Sequence, residues 1–207
     1  MAGKVGLATT DDIPDLVDIF WEAFSGPGEV VFPHTDGGRK WLQRSFENFL
    51  GQKSYYRPEA KVAVVRNLNS RPVALAIVHV VRPGQNIAGE AWKTRWSRCG
   101  DIPDVNEKQL ADFFEPLGRA HYLVVGKEGH VFVELVMTKS SSRGRGYASA
   151  LMEWATKLAD SLDVPCYLDA GIRGMGICDR CGFKAQDIET RYGGPPPCTP
   201  MLRSKKQ

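Results

Sequence analysis

The chain has 207 residues, enough for one domain with a substantial core, and its 43% hydrophobic and 25% charged content is that of an ordinary globular protein. A formal net charge of +3, from 27 basic and 24 acidic residues, is too balanced for a nucleic-acid surface or a dock on an anionic membrane. The longest apolar run, Val73 to Val81, is interrupted by His79 and is far too short to span a bilayer. Met1 to Val5 carries no apolar core of a signal peptide, and five cysteines at irregular spacing form no obvious disulfide framework. A reduced, cytoplasmic setting is the expectation. No repeat or low-complexity linker divides the chain, so residues 1–207 read as a single domain, with 193–207 partly tail-like and Arg203 to Lys206 solvated.

In chain order, Val5 to Thr9 reads as a short strand, and Thr10-Asp11-Asp12 supplies cap residues for a helix. In that helix Ile13, Leu16, Val17, Phe20, Trp21 and Phe24 recur at helical spacing. A loop rich in Gly and Pro, Ser25 to Gly38, leads to a second helix striped by Trp41, Leu42, Phe46, Phe49 and Leu50. Lys61 to Arg66 and Arg71 to Val81 predict two strands joined by the turn Asn67-Leu68-Asn69-Ser70. Arg82 to Asp104 is irregular, and its Trp92 and Trp96 are candidates for a lid. A helical pattern returns over 105–125, where Pro116 should kink or restart the helix because proline lacks a backbone donor.

His130 to Thr138 predicts a strongly apolar strand. A Ser/Gly/Arg loop follows, then a helix whose Ala148, Leu151, Met152, Ala155, Leu158, Ala159 and Leu162 share one face. Val164 to Ala170 reads as a strand, Met175 to Cys181 as a short helix, and Phe183 to Thr190 and Thr199 to Arg203 as two last strands. The sum is a mixed α/β domain centred on strand–loop–helix–strand.

The loop Arg143-Gly144-Arg145-Gly146-Tyr147-Ala148 carries the chemistry. A helix N-terminus presents unpaired N–H groups and the positive end of its dipole, and so attracts phosphate. Glycines admit close backbone approach, and Arg143 and Arg145 add positive charge at the same mouth. A P-loop would need Gly-Lys-Ser/Thr, and a dinucleotide fingerprint would need three glycines after the first strand; neither is present. Anion binding, sized for a pyrophosphate, stands beside the plainer reading of a glycine-rich turn with two solvated arginines.

Arg143-x-x-Gly146-x-Ala148 resembles the glutamine/arginine-x-x-glycine-x-glycine/alanine signature of the GNAT superfamily of N-acetyltransferases. The resemblance covers nearly the whole chain and includes the closing Gly182-Phe183. The insert at 105–125 and Met201-Leu202-Arg203 look like a fungal-type subgroup. The resemblance implies a mixed, mostly antiparallel central sheet flanked by helices, with acetyl-CoA as co-substrate and no metal. It implies that Arg143, Gly144, Arg145, Gly146, Tyr147, Ala148 and Ser149 hold the CoA pyrophosphate. It implies also that backbone groups of Val136, Met137 and Thr138 pair with the pantetheine arm. A strand edge can take an amide-bearing arm as an added strand, and amides aimed at a developing oxyanion lower an acyl-transfer barrier.

An ammonium substrate must lose a proton before it attacks a thioester. Glu134, alone in Val131 to Met137 and nine residues before the signature arginine, resembles the family's usual proton acceptor. Strand alternation puts it on the same face as Val136 and Thr138. Its alternative is a structural glutamate tied to an arginine or a backbone amide. The family's common acid is a tyrosine four residues before the helix-ending glycine, where this chain has Cys178; its thiol is a candidate acid for a leaving thiolate of similar pKa, about 8.5, but an inert cysteine is the favoured reading there, leaving solvent or Tyr147 to serve. Cys178-x-x-Cys181 lacks the two further ligands of a zinc site, and His79 reads as a core residue that could also line an acceptor cleft. Trp21, Phe24, Phe32 and Trp41 read as core that could also wall an acceptor cleft.

The expected function is acetyl transfer from acetyl-CoA to an amine, with a small molecule ahead of a peptide or protein as acceptor. The competitors are a binding module that holds acyl-CoA without efficient catalysis and, more distantly, a nucleic-acid binder. No nucleic-acid or membrane partner is expected, and monomer and homodimer both stay open.

Overall fold

A computed structural model of the protein describes residues 3–25, 31–51 and 57–206. Its strands are β1 (Val5–Leu7), β2 (Glu59–Arg66), β3 (Pro72–Val81), β4 (His130–Thr138), β5 (Cys166–Ala170), β6 (Lys184–Ala185) and β7 (Thr199–Arg203). Its helices are α1 (Ile13–Ala23), α2 (Asp36–Gly51), α3 (Trp92–Arg95), α4 (Glu107–Val125), α5 (Tyr147–Ser161), α6 (Met175–Arg180) and α7 (Glu189–Tyr192). The strands form one sheet in the order β1-β2-β3-β4-β5-β7-β6. Every neighbouring pair is antiparallel except β4 and β5.

Alternation along the strands feeds two cores, one per face. Val62, Val64, Leu75 and Ile77 pack with Leu16 and Phe20 of α1 and Trp41 and Phe46 of α2. Ala63, Val65, Ala74 and Ala76 point the other way, toward Leu151, Met152, Ala155 and Ala159 of α5. Local chemistry starts two of the helices and one turn. Thr9 N–H donates to Asp12 Oδ2 at 2.8 Å ahead of α1, and the Asn106 side chain accepts from the amides of Lys108 and Gln109 at the start of α4. Between β2 and β3 the Asn67 side chain accepts from the amides of Asn69 and Arg71 and sets the turn.

Four expectations give way. The indoles of Trp92 and Trp96 form no lid: both are buried, Trp96 stacked on Trp41 at 5.3 Å and Trp92 on Phe114 at 5.3 Å. Pro116 does not interrupt α4; the carbonyl it leaves unpaired belongs to exposed Asp112, where water can satisfy it. The strand expected over Phe183 to Thr190 shrinks to β6, because the Asp187 carboxylate accepts from Glu189 N–H at 3.3 Å and turns the chain into α7. The basic end is also anchored. Arg203 grips Asp160 at 2.7 and 3.1 Å, Lys206 reaches the same carboxylate at 2.8 Å, and Lys205 meets Asp163 at 3.0 Å. Replacing Arg203 by Met should cost about 1 kcal/mol in urea unfolding, the scale of a two-pronged but partly solvated pair.

Among the described residues no helix is long and apolar enough to cross a membrane.

Candidate active site

Pairing of β4 with β5 runs from Val131 opposite Cys166 to Val133 opposite Leu168 and then stops. Beyond that pair the two strands diverge, and among the described residues the edge of β4 over residues 134–138 has no strand partner. On its other edge β4 keeps pairing with β3, but the register shifts: Ile77 faces Leu135 while Val78 faces Val133. Glu134 is therefore the extra residue of a β-bulge, and a bulge re-aims the side chains that follow it.

The bulge overturns the expectation that Glu134 shares a face with Val136 and Thr138. Leu135 packs with the α1–α2 core and Val136 with the α5 core. The Glu134 carboxylate turns to the α1–α2 side and meets donors from three directions. Trp96 Nε1 donates at 2.9 Å, Arg95 donates from Nη2 at 3.0 Å, and His79 Nε2 lies at 2.5 Å. Its side chain is 5% exposed while the residue as a whole is half-buried, so what the cleft sees of Glu134 is largely main chain.

Burial opposes the Glu134 charge, but the Arg95 guanidinium and then His79 outweigh it, holding the carboxyl well below the usual range. Burial lowers His79, against the pull of Glu134, and an ionised Glu134 at 2.5 Å calls for a proton on Nε2. The His79 Nδ1 and Arg95 Nη1 atoms are buried without hydrogen-bond partners among the described residues. Sequence reasoning anticipated a structural arginine for Glu134 as one alternative, but not which arginine. Arg95 lies 39 residues away in a segment read as irregular.

The loop lies where the sequence placed it. Gly144 and Gly146 adopt φ of 75° and 78°, a left-handed conformation that favours glycine, and Gly146 caps α5. A space of about 660 Å³ runs along it, lined by Val136, Met137, Thr138, Arg143, Gly144, Gly146, Tyr147, Ala148 and Ser149. Arg145 is not among these lining residues and is exposed. Arg143 Nε donates to the Thr138 carbonyl at 3.3 Å, while Thr138 Oγ1 is buried without a protein partner among the described residues. Glu22 of α1 accepts from the Ser140 amide at 2.6 Å and so holds the entrance of the loop.

A second space, about 510 Å³, continues from the first into the divergence of β4 and β5. Glu134, Val136, Leu168, Asp169 and Cys178 are on its wall. Burial raises the Cys178 thiol to about 11, which keeps it protonated. Asp169 was not singled out from the sequence. Burial lifts its carboxyl, the Tyr167 hydroxyl donating at 2.7 Å draws it back down, and the Glu134 charge raises it again, to about 7. No group of three or more His, Cys, Asp or Glu among the described residues could hold a metal ion, Cys178-x-x-Cys181 included.

The acetyltransferase (GNAT) family profile matches residues 13–183. No curated protein sequence matches significantly. Among solved structures, arylalkylamine N-acetyltransferase 2 from Aedes aegypti superposes with a TM-score of 0.67 at 14% identity, over 98% of this chain and 99% of that one. A histone acetyltransferase HPA2-related acetyltransferase from Corynebacterium glutamicum gives 0.61 at 22% identity, over 100% and 98%. A phosphinothricin acetyltransferase from Sinorhizobium meliloti, solved with acetyl-CoA, gives 0.58 at 13% identity, over 99% and 89%. At these identities they show the shared fold, and none bears on the fungal-type grouping. The family match spans α1 to α6, the bulged strand and the Arg/Gly loop, and by it the chain belongs to the acetyltransferase (GNAT) family and is an acyltransferase.

Proposed function

We propose that the protein is a single-domain, cytoplasmic, acetyl-CoA-dependent N-acetyltransferase that acetylates the amine of a small molecule by direct attack on the thioester. The observation that carries this reading is the unpaired edge of β4 beyond Val133, which opens straight onto the glycine-capped start of α5. Residues 144–149 would hold the pyrophosphate through their amides and the helix dipole. The free β4 edge at Val136, Met137 and Thr138 would take the pantetheine arm and polarise the thioester carbonyl. A half-open cleft of about 510 Å³ is within the size range of small-molecule sites, and the solved relatives include enzymes named for arylalkylamine and phosphinothricin substrates.

Glu134 assists deprotonation in this reading as a fixed negative charge buried behind the apex of the cleft. A carboxylate already bound by Arg95, Trp96 and His79 is a weak proton acceptor at neutral pH. Cys178 serves as wall rather than acid: a thiol raised to about 11 gives up its proton less readily than a leaving thiol whose ordinary value is about 8.5. The amide nitrogen, which must shed a proton after attack, supplies the leaving sulfur instead.

A thiol reagent should detect CoA release in the presence of acetyl-CoA and at least one member of a panel of alkylamines and arylalkylamines. Tight acetyl-CoA binding without turnover on any amine, peptides included, would replace the enzyme by a non-catalytic acyl-CoA module.

A further inference from the structure

The last β4–β5 pair is Val133 with Leu168, so the next residue on each strand flanks the point where the sheet opens. On β4 that residue is Glu134; on β5 it is Asp169. Both line the same 510 Å³ cleft. Two acidic residues thus flank the apex in different surroundings, Glu134 with its carboxylate buried toward the α1–α2 side and Asp169 partly exposed. Glu134 carries a guanidinium, an indole N–H and an imidazole, whereas no cation pairs with Asp169 among the described residues.

The side chain of Asp169 is held from one side only. Tyr167 Oη donates to Oδ1 at 2.7 Å, and its ring is locked by His121 of α4, stacked on it at 3.9 Å and nearly parallel at 4°. His121 is fixed in turn by His130 Nε2 at 2.8 Å. That leaves Oδ2 without a hydrogen-bond partner among the described residues, on a residue that is partly exposed to the cleft. The other ionisable groups around it are Glu134 from β4, Arg173 and Cys178 on the α6 side of the cleft, and Cys198 just ahead of β7.

We infer that Asp169, positioned by Tyr167, is the group that takes the proton from the substrate ammonium. The inference rests on the acetyltransferase reading above and adds a catalytic residue to it. The ammonium N–H bond breaks and its proton passes to Asp169 Oδ2, directly or through one water. The freed nitrogen pair then forms the C–N bond at the thioester carbon, the C–S bond breaks with its electrons leaving on sulfur, and the second nitrogen proton ends on that sulfur. Asp169 returns its proton to solvent. Glu134 serves this step from across the opening, because its permanent charge makes Asp169 a stronger base. Environments that drive two neighbouring carboxyls apart, one below the usual range and one up to about 7, are how a site assigns the fixed anion and the proton carrier.

The test is the pH profile of kcat/KM with an alkylamine, alongside acetyl-CoA affinity. In the wild type the rate should rise through an inflection near 7, as Asp169 loses its proton. Asp169→Asn keeps the shape and can still accept from Tyr167; it should bind acetyl-CoA normally yet lose about 100-fold or more in kcat/KM, with the inflection gone. Tyr167→Phe removes the donor that favours the anion, so the inflection should move to higher pH while the rate above it largely returns. Independently of any variant, carboxyl-carbon NMR of the wild type should show Asp169 titrating near 7. Turnover by Asp169→Asn with an unchanged inflection, or titration of Asp169 near the ordinary value of about 3.9, overturns this inference and leaves the acetyltransferase standing. Absence of turnover by the wild type overturns both.

Discussion

Arg95→Met is expected to destabilise the protein by about 3–5 kcal/mol at neutral pH, the scale of a buried ion pair that loses one partner. Glu134 and Arg95 are each only 5% exposed at the side chain, so neither charge has water to fall back on. The worth of the pair is not its attraction alone; removing Arg95 leaves a carboxylate in an aromatic pocket lined by Trp96, Phe132 and His79. His79 limits the damage, since without the repelling guanidinium it protonates more easily beside Glu134. The double variant Arg95→Met/Glu134→Gln should recover at least half of the loss, because both charges then leave together.

The pH dependence has a definite sign. In the wild type the Glu134 carboxyl is depressed below its ordinary value of 4.5, so its stabilisation is complete above that value and fades as pH falls toward the folded value. Without Arg95 burial dominates and the folded value rises, so the group then stabilises at low pH and loses that contribution as pH rises. Urea midpoints of the two proteins should therefore converge near pH 4 and separate toward pH 7. A loss of less than about 1 kcal/mol at neutral pH would mean that the pair is solvated, as surface pairs are.

This cluster also marks where sequence reading stops. Periodicity located both cores, because Leu16, Phe20, Leu151 and Ala155 declare a helical face within a few residues. The Arg/Gly loop declared itself as well, since its demands are local: a left-handed glycine, a helix start and nearby charge. Glu134 was legible as an anomaly, a carboxylate alone in an apolar strand, but its partner was not. Arg95 reaches it through tertiary packing of a segment with no periodic signal. The bulge was equally hidden, because strict alternation predicts a face that one extra residue reverses. Asp169 carried the same signal as Glu134, a lone carboxylate in Cys166 to Ala170, and went unmarked because its significance depends on where β4 and β5 part. Trp92 and Trp96 misled for the opposite reason. Irregular backbone suggested a mobile cover, whereas stacking against Trp41 and Phe114 makes them core.

Gly146→Val should abolish tight acetyl-CoA binding, by at least 100-fold in Kd, while costing the fold only about 2 kcal/mol. Two effects combine. At φ 78° a β-branched residue is strained, and the loop would relax toward a conformation that turns the first α5 amides away from the ligand. A Cβ at residue 146 also meets no protein atom within 4 Å, so nothing in the protein resists it and the methyls project into open space beside the loop. A 100-fold loss is about 2.7 kcal/mol, which a few amide-to-phosphate hydrogen bonds would supply. Strain alone must be separated from loss of the cradle, and Gly193 provides the control. It too is left-handed, at φ 88°, and open to a Cβ, but it follows α7 and is absent from the lining of the cleft. Gly193→Val should match Gly146→Val in urea unfolding and bind acetyl-CoA as the wild type does. Calorimetric titration of both variants decides the matter. Equal affinity losses would reduce the effect to general destabilisation, and wild-type affinity in Gly146→Val would remove the pyrophosphate from this loop altogether.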